Sequence, residues 1–205
     1  MTKTIANLPV GEALAGLPSS PNPQSPTVKR IDTADARIQI VDQSGPEVLS
    51  VKQVLEHYLR LSDKDVRMRF LRRMTEAELE RHATHALSRA ECVAVMHAQG
   101  CIRGVAELYR GRCPQNCSAE IAISVEAAFQ GRGIGVALAA SAINRARRSS
   151  IRRIEATFQR GNQAARCTLE RLRFRVRCEG EECHASLDLV TSTLETIDAL
   201  HYLHL

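Results

Sequence analysis

The sequence predicts an α/β fold, with a mixed, mostly antiparallel central sheet flanked by helices, and three observations carry the prediction. From Ala36 onward, segments with strand-like alternation take turns with segments whose apolar residues recur at helical spacing. Two pairs of apolar runs are joined by short glycine-bearing turns, as antiparallel hairpins require. Between them an apolar run leads into Gln130-Gly131-Arg132-Gly133-Ile134-Gly135 and then Val136-Ala137-Leu138-Ala139-Ala140, so a glycine-rich bend opens a helix.

Taken in order, Ala36 to Val41 is a short strand, and Val51, Val54, Leu55 and Tyr58 recur as on one face of a helix. A second helix is expected through Met68 and Leu71. Thr75-x-x-Glu78 has the form of a capping box and starts a third helix through Leu79, Ala83 and Ala86. His82 and His85 lie on that helix with no third ligand in view, and are read as exposed polar residues. Cys92 to Met96 and Ile102 to Tyr109 form a hairpin around Ala98-Gln99-Gly100. After a loop with Pro114 come the strand Ala119 to Val125, the glycine turn, and a helix to about Arg148. A strand from Ile151 to Phe158 and a helix from near Asn162 follow. Phe174 to Cys178 and the alternation of Cys183, Ala185, Leu187 and Leu189 give two closing strands, and Leu194 to Leu205 a last short helix.

With 205 residues, 44% of them apolar, the chain can bury the core of one folded domain. Residues 18–26, Pro-Ser-Ser-Pro-Asn-Pro-Gln-Ser-Pro, remove backbone donors and restrict their neighbours. Residues 1–30 are therefore expected to be a disordered Pro/Ser-rich tail and 31–205 a single domain. The start of the chain lacks the basic segment and apolar run of a secretory signal, and seven cysteines is an odd number, so reduced thiols and a cytoplasmic location are expected. Cys113-x3-Cys117 and Cys178-x4-Cys183-His184 have looser spacing than zinc knuckles, and no metal is expected.

The net charge of +5 and pI near 9.0 would suit nucleic acid, an acidic membrane or a polyanionic cofactor. Lys and Arg are dispersed, and 3% aromatic content leaves little surface on which bases could stack. Arg145, Arg147, Arg148, Arg152 and Arg153 lie where a helix ends, complementing its dipole. Neither nucleic acid nor membrane is expected as a partner, and no segment is long and apolar enough to span a bilayer.

The glycine bend is the strongest pointer to function. Glycines let main-chain N–H groups turn toward one point at a helix N-terminus, an arrangement suited to phosphate. A P-loop would need Gly-Lys-Ser/Thr, whereas Ile134 and Val136 follow these glycines. A dinucleotide fold would need G-x-G-x-x-G directly after a strand, whereas this chain has G-x-G-x-G after the intervening residues 126–130. The remaining pattern is Q/R-x-x-G-x-G/A, matched by Gln130, Gly133 and Gly135. Here the chain resembles the GNAT superfamily of acyl-CoA-dependent N-acetyltransferases, over roughly Ile38 to Leu189. Asn162-x-x-Ala165 with Phe174 resembles the family's second signature stretch, with Arg173 where its glycine usually stands. Ala119-Glu120-Ile121-Ala122 and Arg69-Phe70 look like the catalytic domain of bacterial protein-lysine acetyltransferases.

The resemblance implies acetyl-CoA as co-substrate, transferring its acetyl group to a primary amine of a protein or small molecule by direct attack in a ternary complex. Main-chain amides from Gly131 to Gly135, including Ile134, would hold the pyrophosphate, with Arg132 adding a charge-assisted bond and Gln130 and Asn162 belonging to the same site. Main-chain groups near Ile123 and Val125 would contact the pantetheine arm, between strands that splay apart. A protonated amine must lose a proton before it attacks. Glu120, on one strand face with Ala122 and Ser124, is the first candidate for the base, and Glu107 on the adjacent strand is the second. The family's usual thiolate-protonating tyrosine is replaced by Leu169, so no acid is assigned. Tyr58 and Tyr109 are left to packing. That departure keeps open an acyl-CoA-binding sensor or regulatory module without activity. Acceptor identity and oligomeric state are not specified by these residues.

Overall fold

The computed structural model describes residues 37–41, 49–111 and 117–190. The expected tail over residues 1–30, the Pro114 loop with Cys113, and the expected helix over 194–205 lie outside the described residues.

The elements are β1 (Arg37–Val41), α1 (Val51–Leu59), α2 (Asp63–Phe70), α3 (Glu76–Arg89), β2 (Cys92–Ala98), β3 (Cys101–Arg110), β4 (Ser118–Val125), α4 (Ile134–Arg148), β5 (Arg153–Gln159), α5 (Gln163–Arg171), β6 (Arg175–Glu179) and β7 (Glu182–Asp188). A 3-10 turn, Ala127–Phe129, leads into the glycine bend. The strands form one seven-stranded sheet in the order β1-β2-β3-β4-β5-β7-β6. Every neighbouring pair is antiparallel except β4 with β5, which is parallel. This is the mixed, mostly antiparallel sheet expected from the sequence.

Local chemistry explains where the elements begin and turn. Thr75 and Glu78 close the expected capping box on α3, and Ser50 with Gln53 closes a second on α1. Gln99 and Gly100, at φ 54° and 71°, both adopt the left-handed conformation that a two-residue hairpin turn between twisted strands requires. Asn162 caps α5 by accepting from the Ala165 N–H at 3.0 Å.

Helices cover both faces. Val54, Tyr58, Leu79 and Ala83 from α1 and α3 pack on Val93, Val95 and Val105. On the other face α4 buries a continuous stretch of small and branched residues, Ala139, Ala140, Ala142 and Ile143 among them, against Leu108, Ile121 and Ile154. Small side chains let that helix lie close to the sheet, and its N-terminus is thereby fixed beside the end of β4.

One cysteine reading is corrected. Cys178 and Cys183, directly opposite each other across β6 and β7, form a disulfide rather than two thiols. Their sulfurs are thus committed, which removes the Cys178-Cys183-His184 zinc alternative.

Candidate active site

The site begins where β4 and β5 part. They pair only at Ser118 with Arg153, Ala119 with Ile154 and Glu120 with Glu155. Beyond these the strands diverge, leaving a cleft of about 450 Å³ lined by residues 121–125 on one side and Ala156 to Phe158 on the other. Hydrogen-bond alternation along β4 decides which main-chain groups face it. Glu126 N donates to Arg103 O and Gly111 N to Ser118 O, so the even-numbered residues of β4 exchange bonds with β3. Ile121, Ile123 and Val125 therefore turn their N–H and C=O groups to the splayed side. Consistent with this, Val125 O accepts from Gln130 Nε2 at 2.9 Å.

The glycine bend forms the mouth of the cleft. Gly131 and Gly133 sit at φ 75° and 80°, where a Cβ is strained, and Gly133 is the N-cap of α4. Gly135 differs. It lies in the first turn of α4 with a right-handed backbone, and an added Cβ would make an ordinary contact of 3.4 Å with Thr168 Oγ1 of α5. Gln130 N donates to Ala127 O and Ala137 N to Gly133 O. Among the described residues, the N–H groups of residues 131–136 between them have no protein acceptor. Six such groups at a helix N-terminus make an anion site without a charged side chain. Asn162 and Thr168 face this mouth from α5. Arg132 does not line it, since its guanidinium donates to Ala128 O at 2.9 Å and lies over the Phe129 ring.

The two candidate carboxylates occupy different settings. Glu120 is exposed at the vertex of the splay, opposite Tyr109 of β3 and Glu155 of β5, and outside the lining of the cleft. Glu107 is fully buried and opposite Ala122. It accepts from Tyr58 Oη, from Arg69 Nη2 at 2.5 Å and from Tyr109 Oη at 3.1 Å, with His82 Nε2 at 3.0 Å. Burial opposes its ionisation, but Arg69, His82 and Tyr58 outweigh that and hold the carboxyl at about 2. Such a carboxylate is a weak base with its lone pairs engaged.

This cluster revises three side-chain readings. His82 is a hydrogen-bond partner of Glu107, not a solvated residue. Tyr58 and Tyr109 are its hydrogen-bond donors, not packing alone. His85, as expected, is exposed, and its ring stacks on Tyr109.

A second cluster was not singled out from the sequence at all. His57 is buried, with Nε2 at 2.9 Å from Ser124 Oγ and Nδ1 at 3.4 Å from Glu126 Oε1. Arg60 Nε donates to Glu126 Oε1 at 2.8 Å and Arg103 Nη1 to Oε2 at 3.0 Å. Burial opposes ionisation of Glu126, and the bonds from His57, Arg60 and Arg103 overcome it, holding this carboxyl too at about 2. Helix α1 thus delivers adjacent residues, His57 and Tyr58, to two separate acids. The residues of each cluster are scattered along the chain, so no local spacing announces them.

Leu169 is buried in the core and carries no hydroxyl to the cleft. Among the described residues, no group of three His, Cys, Asp or Glu is arranged to hold a metal ion. Of the arginines near the end of α4, Arg145 pairs with Glu91 and Arg153 with Glu155 and Asp188. No helix among the described residues is long and apolar enough to cross a membrane.

Comparison with known proteins agrees with this architecture. Residues 54–174 match the model of the acetyltransferase (GNAT) family. Among solved structures, the GNAT domain of S. lividans PAT is similar with a TM-score of 0.62, 21% identity, and coverage of 75% of this chain and 90% of that one. An N-acetyltransferase from Staphylococcus aureus Mu50 is 17% identical over 76% of this chain and 99% of its own, with a TM-score of 0.60. The yncA protein of Salmonella typhimurium, solved with its cofactor acetyl-CoA, is 19% identical over 78% of this chain and 97% of its own, with a TM-score of 0.58. No curated protein sequence matches the chain.

Proposed function

Because the chain belongs to the GNAT family of acetyltransferases, and so performs acetyl-CoA-dependent N-acetylation, we propose that its acceptor is a primary amine, on a protein lysine or a small molecule, that attacks the thioester directly in a ternary complex. The observation that carries this reading is the run of unpaired N–H groups over residues 131–136 at the mouth of the splayed cleft. A pyrophosphate there is held by main-chain donors and the positive end of α4. The pantetheine arm enters between β4 and β5 and pairs with the main chain of Ile123 and Val125. Gln130 braces the bend through its bond to Val125 O, and Asn162 fixes the opposing start of α5.

The attacking nitrogen must be neutral, and a lysine-like amine has a pKa of about 10.4. Glu120 is the base in this reading. It precedes by two residues Ala122, which lines the cleft, and a strand rise of roughly 3.3 Å per residue leaves space for one water to relay the proton. The N–C bond forms, the tetrahedral centre collapses, and the C–S bond breaks to release the CoA thiolate, which takes its proton from water. Glu107 has the supporting role of holding Arg69 at the acceptor side of the cleft, where Lys64 and Asp65 also lie.

Calorimetry with acetyl-CoA and a screen of amines and lysine-bearing proteins for thiol release test the reading. Glu120→Gln is expected to lower turnover by about 10²-fold or more while acetyl-CoA affinity stays near that of the parent. Unchanged turnover across pH would remove Glu120 as the base, and absence of heat with acetyl-CoA would remove the cofactor site.

A further inference from the structure

The mechanism above leaves Ser124, His57 and Glu126 unused. Ser124 lies on β4 between the two residues whose main chain faces the cleft, and it lines that cleft while only 7% exposed. Glu126 is ionised and can only accept, so Nδ1 of His57 carries the proton shared with it. Burial lowers the imidazole below its ordinary value and keeps it neutral. Nε2 is then an acceptor, and at 2.9 Å it takes the hydroxyl proton of Ser124. Hydroxyl, imidazole and carboxylate in this order activate a serine toward acyl groups. The main-chain N–H of Val125, next to Ser124 and turned to the splayed side, is the donor nearest to hand for an oxyanion.

We infer that Ser124 accepts the acetyl group of acetyl-CoA when no amine is bound and passes it to water, so the protein is also a slow acetyl-CoA hydrolase. The inference rests on the cleft holding acetyl-CoA as proposed above. Ser124 Oγ attacks the thioester carbonyl, the C–O bond forms and the C–S bond breaks. The hydroxyl proton moves to His57 Nε2 and then to the departing thiolate, giving free CoA thiol and O-acetylserine. Water attacks the ester carbonyl, one of its protons passes through Nε2 to Ser124 Oγ as the acyl C–Oγ bond breaks, and acetic acid leaves, giving up its remaining proton to solvent as acetate, with the serine restored. Glu126 favours the transient imidazolium, while Arg60 and Arg103, both bonded to Glu126, oppose it. That opposition is why the reaction is slow.

The test incubates the full chain with acetyl-CoA and no amine, following thiol release and the intact mass, with peptide mapping of any adduct. Thiol release beyond one equivalent, above the rate in buffer, and an acetyl group on the peptide carrying Ser124 are expected. Ser124→Ala should lower that release by about 10²-fold or more, with calorimetric binding of acetyl-CoA retained. Wild-type protein that binds acetyl-CoA without releasing thiol overturns the inference and leaves the cofactor site standing. So does an adduct found only on another residue such as Lys64, or release that survives in Ser124→Ala. No binding at all overturns the cofactor site and this inference together.

Discussion

The two sides of β4 handle charge in opposite ways. Its splayed edge, with the glycine bend beyond, offers main-chain N–H groups and leaves the charged side chain nearest to hand, Arg132, turned aside. The face toward α1 to α3 instead packs over two buried carboxylates, Glu107 and Glu126, each ringed by arginine, histidine or tyrosine. A site that must fill and empty is well served by amides, which water can satisfy when the ligand leaves. A permanently buried acid has no such recourse and needs fixed partners.

Breaking the second arrangement should have the largest effect. Glu107→Gln leaves Arg69, whose side chain is 10% exposed, without its counter-charge, and a loss of about 3–5 kcal/mol is expected in urea denaturation. Replacing both, Glu107→Leu with Arg69→Met, should recover much of that loss; failure to do so would mean that the pair does more than neutralise itself.

The same contrast has a pH signature. Glu107 and Glu126 titrate at about 2 in the folded protein against an ordinary value of 4.5. The unfolded chain therefore binds their protons first as pH falls. Their stabilising contribution is complete above about pH 5 and is lost progressively as pH drops through 4.5 toward 2. Thermal melts at pH 7, 4 and 3 should show the midpoint falling in that window, and a flat profile would contradict the charge assignments.

Gly131→Ala probes the amide side. An added Cβ meets no protein atom within 4 Å, so the change acts through φ 75° and through the space at the mouth. A stability loss of roughly 1–2 kcal/mol is expected from backbone strain. Acetyl-CoA affinity should fall by about tenfold, near 1.4 kcal/mol, in calorimetry.

The smallest effect belongs to Arg173, outside both regions. Arg173 N donates to Glu170 O and Phe174 N to Leu169 O, which is the Schellman closure of α5, and Arg173 sits at φ 62°. This is where a glycine is physically favoured. Arg173→Gly should raise stability by about 1 kcal/mol and leave acetyl-CoA binding unchanged, as read by the melting midpoint and calorimetry.

Legibility in the sequence followed the same divide. The capping box at Thr75, the Gln99-Gly100 turn, the glycine bend and the Asn162 cap are made by residues within a few positions of one another, so their chemistry is written locally. The acid clusters are not. Tyr58 reaches Glu107 across a separation of 49 residues and His57 reaches Glu126 across 69, and only the assembled sheet brings them together. His82 has no local feature that separates a carboxylate's hydrogen-bond partner from a solvated histidine. By sequence alone Ser124 is a small neighbour of Glu120; its bond to His57 comes from a helix far away in the chain.

The brief contact between β4 and β5 also makes the sheet two panels with a seam, since their ladder runs for only three residue pairs, extended by the bond from Arg152 N to Cys117 O. A cofactor arm lying along the gap, as proposed above, would add rungs that the polypeptide lacks. Occupancy and rigidity are then one variable: amides bordering the gap should exchange with solvent quickly when it is empty and slowly when it is filled.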